Sequence, residues 1–61
     1  MMRPEDLREW RARLELTRRA AAAQLGLCER TLAYYEAGER PVPLVVELAC
    51  RYLEMAAERA L

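Results

Sequence analysis

Residues Thr17–Tyr35 read TRRAAAAQLGLCERTLAYY, and the fold of the whole chain turns on them. Ala20 to Ala23, Gln24 and Leu25 are strong helix formers. Thr17 stands just before them, where its hydroxyl can accept from an unpaired N–H of a first helical turn. Gly26 supplies a left-handed stop. These residues predict a short helix over about Arg18–Leu25. Leu27 and Cys28 then lead into a second short helix, from about Glu29 to Tyr35 or Glu36. Two short helices joined this closely must cross at a steep angle. Ala22 permits the close approach, Gly26 the tight turn, Leu27 plugs the corner and Leu32 anchors the second helix. Tyr35 points inward with Leu27 and Leu32. Glu29, Arg30, Ala33 and Tyr34 are left on the outer face.

Upstream, Pro4 suits a first helical turn, where its missing N–H costs nothing. Glu5 and Asp6 sit where the helix dipole favours negative charge. Leu7, Trp10 and Leu14 follow as one apolar stripe, predicting a helix from Pro4 to about Glu15. Downstream, Gly38 ends the second short helix, Glu39-Arg40-Pro41 forms a loop, and Pro43 opens the last helix. No Gly or Pro occurs from Leu44 to Leu61. Leu44, Leu48, Tyr52 and then Met55 or Ala56 recur at helical spacing, with Val45, Ala49, Leu53 and Ala60 alongside. One long helix is expected over about 43–60, fraying after Glu58. No strand, repeat or linker signal appears. The expectation is a single all-α domain over 1–61, with four to five helices.

Composition narrows the function. A chain of 61 residues is one small domain. Its 54% hydrophobic and 33% charged balance is globular rather than disordered. No apolar run approaches the ~20 residues a membrane span needs. Met1 and Met2 run straight into Arg3, Pro4, Glu5 and Asp6, which is no secretory opening. A cytoplasmic location without membrane contact is expected. His and Ser are both absent, so a cysteine nucleophile lacks its usual base. Cys28 and Cys50 alone cannot fill a tetrahedral zinc shell, and both are read as reduced thiols. No metal, cofactor or small-molecule ligand is expected. The composition favours a binding module over an enzyme.

Formal charge is zero, with ten basic and ten acidic side chains. A nucleic-acid binder usually carries a basic excess. Here every cation is Arg, the side chain suited to bidentate phosphate and guanine contacts. Position therefore matters more than the sum. Arg18 and Arg19 open the first short helix, and Arg40 lies in the loop after the second, so the three flank its outer face.

The segments LREWRARLELT (7–17), AAAQLGLCERTLAYYEAGERPVP (21–43) and LAC (48–50) resemble the lambda-repressor and Cro-like helix-turn-helix family of xenobiotic-response-element-like regulators. The resemblance covers about Leu7 to Tyr52 and rests on the turn, the Glu-x-Gly at 36–38 and the upstream Arg11 taken together. It implies a compact lambda-repressor-like DNA-binding domain, its helix-turn-helix at about 17–36, with a long C-terminal helix. It implies that Arg11 and Glu36 form a structural ion pair. Glu29, Arg30 and Tyr34 would face base edges, while Thr17, Arg18, Thr31 and Arg40 would hold phosphates; Arg19 joins them on position. Arg30 suits guanine, Glu29 suits cytosine N4 or orients Arg30 or Arg18, and Tyr34 suits a thymine methyl or a phosphate.

Four departures from the family pattern carry expectations of their own. Arg18 replaces a common Gln. Cys28 stands where Ser or Thr would cap, a weaker cap by ~1 kcal/mol. Glu15 replaces a Gly, which argues against a left-handed turn after the first helix. Ala21 replaces a Leu, leaving space for Trp10, Tyr35 or Tyr52. The last helix carries more apolar surface than a lone domain covers, so Tyr52, Leu53, Met55, Ala56 and Ala60 are the expected homodimer interface. The expected function is a dimeric regulator, a repressor or autoregulator, bound to double-stranded DNA at a near-palindromic operator. The alternative is an antitoxin-like or polymerase- or sigma-binding module that keeps the scaffold without DNA.

Overall fold

The structure is a computed structural model that describes residues 1–59. Among them the chain forms four α-helices and no strand: α1 (Pro4–Arg13), α2 (Arg18–Leu25), α3 (Glu29–Ala37) and α4 (Leu44–Arg59). Pro4 is the first residue of α1, and the Arg3 N–H donates to Asp6 Oδ2 at 2.9 Å. Thr17 caps α2 as expected, its Oγ1 accepting from the Ala20 N–H at 3.1 Å. Cys28 precedes α3 without a side-chain cap bond.

The first helix ends differently from the expectation. It stops at Arg13 rather than near Glu15, and Glu15 takes the left-handed conformation with φ 55° despite its side chain. The Leu16 N–H reaches the Arg11 carbonyl at 3.0 Å, and the Glu15 N–H reaches that of Ala12 at 3.1 Å. This is the closure that also ends α2 and α3. There Gly26 and Gly38 adopt the left-handed turn, while Leu27 bonds back to Ala22 at 2.8 Å and Glu39 to Tyr34 at 3.0 Å. At Glu15 the Arg11 guanidinium adds a bond to the Leu16 carbonyl at 3.3 Å. Those bonds offset the ~1–2 kcal/mol that a left-handed non-glycine residue costs.

The core comprises Leu7 and Trp10 of α1, Ala21 and Ala22 of α2, Leu32 of α3, Val42 of the loop, and Val46 and Cys50 of α4. Trp10 is its largest fully buried side chain, and its Nε1–H donates to the Cys50 carbonyl at 3.0 Å, tying α1 to α4. Ala21 leaves no opening to solvent, since it is completely buried in this cluster and Tyr35 packs against the cluster from α3. Tyr52 takes no part there, being 70% exposed.

The long helix sorts its apolar residues in an instructive way. Val46 and Cys50 are buried and Leu53 is half-buried against the core, one stripe at helical spacing. The more conspicuous stripe of Leu44, Val45, Leu48, Tyr52 and Met55 faces solvent, each side chain more than half exposed. Leu53 packs in part against the protomer's own core and keeps part of its surface accessible. Ala56 is exposed beside Met55, and Ala60 lies outside the described residues.

Candidate nucleic-acid interface

The orientation of α3 is set by one carboxylate. Glu36 is buried, only 3% exposed, and accepts from Arg11 Nε at 2.7 Å and Arg11 Nη2 at 3.3 Å. The expected Arg11–Glu36 pair is thus present as a two-bond fork. Arg18 Nε also donates to Glu36 Oε1 at 3.3 Å, and Arg8 Nη1 donates to the Glu36 backbone carbonyl. Glu36 so joins α1, α2 and α3 at one point. Every buried side-chain nitrogen and oxygen among the described residues has a hydrogen-bond partner. A buried carboxylate that accepts three N–H bonds from two guanidinium groups holds its charge without an orphan.

With α3 held this way, Glu29 and Arg30 are exposed, and Ala33 and Tyr34 are half-buried rather than fully outward. Glu29 makes no ion pair with Arg30 or Arg18 among the described residues. Thr17 spends its acceptor on the α2 cap, which leaves its O–H as a donor. Arg18 keeps a side chain 47% exposed, with the Nη groups unspent on Glu36. Thr31 is half-buried, its Oγ1 3.0 Å from Cys28 Sγ. That hydrogen bond holds the exposed Cys28 thiol below its ordinary range. Burial, with Glu54 and Glu47 adding, pushes the Cys50 thiol up to about 11.

Charge is distributed unevenly enough to answer the zero sum. Arg11 and Arg18 are paired with Glu36, Arg13 with Glu54, and Arg51 with Glu47. Arg19, Arg30 and Arg40 are exposed and make no ion pair among the described residues. The first turn of α2 carries no acidic residue, so its free N–H groups add to Arg18 and Arg19 as a positive end. Arg3, Arg8 and Arg59 are likewise exposed and without an ion pair among the described residues, so Arg19, Arg30 and Arg40 are available around α3 without being alone in that. Arg40 is further placed by Tyr34, its guanidinium carbon lying 4.4 Å from the ring centroid. Sequence reasoning missed this contact, as it did the Arg18–Glu36 and Arg8–Glu36 bonds. The one available signal was the Gly38 turn, which sends the chain back across the end of α3.

Comparison with known proteins agrees with this geometry. Neither the curated proteins nor the solved structures give a significant match to the chain. The sequence model of a family described as "Helix-turn-helix domain" matches residues 5–61, from the first turn of α1 through the end of the chain. With α2, the Gly26 turn and α3 in sequence inside the matched region, the chain belongs to the helix-turn-helix domain family.

Proposed function

We propose that this chain is a sequence-specific DNA-binding regulator that acts as a homodimer and represses by occupying its operator. One observation carries the reading: the outer face of α3 offers Glu29 and Arg30 to solvent, while Arg19, Arg30 and Arg40 are exposed and paired with no carboxylate among the described residues. On this reading α3 enters the major groove. Arg30 reads guanine through O6 and N7, Glu29 meets cytosine N4, and Tyr34 lies at the edge of the reading face. Thr17, Arg18, Arg19, Thr31 and Arg40 hold phosphates on either side and fix the register.

The exposed α4 stripe supports the dimer. Leu44, Leu48, Tyr52 and Met55 form a continuous apolar line, and Tyr52, Met55, Ala56 and Arg59 surround a shallow hollow on it. A second copy of the same helix covers such a line in a two-fold arrangement. Two reading helices then sit about one DNA turn apart, ~34 Å, over a near-palindromic site. Occupancy of a promoter needs no further surface, which favours repression.

The test is selection of duplexes from a randomised pool, followed by gel shifts at two salt concentrations. Arg30→Ala relaxes sequence preference by about 1–3 kcal/mol at one base pair. Arg40→Ala weakens binding to all duplexes and lowers the salt slope by about one. Unchanged discrimination by Arg30→Ala overturns the assignment of the reading face. Failure of the unaltered chain to enrich any duplex favours a protein-interaction module, consistent with the zero net charge and Glu29 in α3.

A further inference from the structure

We infer that Tyr34 is a positioning residue that fixes Arg40 over the DNA backbone, and that its contribution to binding passes through Arg40 rather than through a base. The inference rests on the DNA-binding reading above and deepens it. Three observations on the same pair of residues carry it. Arg40 Cζ stands 4.4 Å from the centre of the Tyr34 ring, inside the ~6 Å range of cation–π attraction. Gly38 turns left-handed, and the Glu39 N–H bonds to the Tyr34 carbonyl at 3.0 Å. The backbone of Tyr34 thus draws the loop back over α3, while its ring receives the next side chain of that loop. Pro41 follows, and a residue before proline is restricted to extended conformations, which narrows the choices open to Arg40.

The chemistry of the contact leaves Arg40 able to act. A ring attracts a guanidinium through its negative face, whereas the guanidinium donates hydrogen bonds in its own plane. Stacking therefore restrains the cation without consuming its donors. Arg40 makes no side-chain hydrogen bond or ion pair among the described residues, so those donors are free for a phosphate. Tyr34, half-buried and with Arg40 over its ring, is well placed to hold and poorly placed to search a groove. An exposed arginine in a loop otherwise gives up much side-chain freedom on binding, and the ring removes part of that loss in advance.

The experiment uses the full chain with Tyr34→Phe, Tyr34→Leu, Arg40→Ala and the double variant Tyr34→Leu/Arg40→Ala. Probes are a duplex enriched by the unaltered protein and an unrelated duplex of equal length, read by fluorescence anisotropy over a salt series. Tyr34→Phe keeps the ring and should bind within about twofold of the unaltered chain. Tyr34→Leu keeps apolar bulk but loses the ring, and should bind both duplexes roughly two- to fivefold more weakly. In the Arg40→Ala background the same change should have no further effect. An equal loss in that background, or a changed base preference in Tyr34→Leu, overturns the inference. NMR of the free protein separates this result from failure of the DNA reading. The Arg40 side-chain protons should be shifted upfield by the ring in the unaltered chain and Tyr34→Phe, but not in Tyr34→Leu. Absence of that shift overturns the inference with no DNA present, while a chain that enriches no duplex overturns both readings together.

Discussion

Replacing Glu36 by Ala should remove a large share of the protein's stability, and the size of the effect follows from the two guanidinium groups on its carboxylate. Glu36 is 3% exposed and accepts two bonds from Arg11 and one from Arg18. Removal of one partner from a buried ion pair costs about 3–5 kcal/mol, because the remaining charge is stranded. The Arg11 side chain is 24% exposed and Arg18 47%, so water rescues part of each cation. The lower end of that range, about 3 kcal/mol, is therefore expected. Total stability for a chain of this size is roughly 3–9 kcal/mol. Urea unfolding followed by circular dichroism should lose about 3 M in midpoint, taking a slope of about 1 kcal/mol/M. Arg18→Ala should cost below about 1 kcal/mol, as half-exposed pairs do. Added salt should weaken the Arg18 contribution more than that of Arg11. A Glu36→Ala midpoint within about 1 M of the unaltered protein would refute the view that this carboxylate locks α3 to α1.

Other substitutions and titrations test other parts of the structure. Glu15→Gly should stabilise the fold by about 0.5–1 kcal/mol, since the left-handed φ 55° strains any side chain, and thermal unfolding should rise by several degrees. Native protein should offer one fast thiol to a disulfide reagent near neutral pH, the exposed Cys28, with Cys50 reacting only on unfolding. Cys50 is raised from 9.0 to about 11 in the fold, so its share of stability is complete below pH 9 and is lost as pH rises toward 11. Alkaline unfolding of the Cys50→Ala variant should be correspondingly less steep in that window. Leu48→Glu and Tyr52→Glu place charge on the exposed α4 line, and sedimentation should show a shift from dimer to monomer with little change in helix content.

The helices and turns were readable because their signals are local. Pro4, Thr17, Gly26 and Gly38 each act within one turn, and all four stand where their chemistry placed them. Glu15 escaped because its left-handed turn is upheld by Arg11 reaching forward to Leu16. The face of α4 escaped for a related reason. Leu44, Leu48 and Tyr52 form the larger stripe, yet packing beside the bulky Trp10 favours the smaller Val46 and Cys50, and the Cys50 carbonyl receives the indole N–H. Periodicity shows that a helix is two-sided but does not say which apolar side meets its own core. On the outer face of α3, Glu29 and Arg30 are exposed, as their places in the sequence led one to expect. The pairing of Arg18 with Glu36 depends on the packing of α2 against α3, and the seat of Arg40 on Tyr34 on the path of the chain after Gly38.

The burial of Trp10 has a practical corollary. It is the sole indole in the chain, sealed at 1% exposure and bonded to a carbonyl on another helix. Its fluorescence is an intrinsic gauge of whether α1 and α4 remain docked, insulated from whatever touches the outer surface of α3. Emission that stays blue while a labelled duplex changes its anisotropy would report recognition by an intact scaffold; a red shift in step with that change would report melting instead.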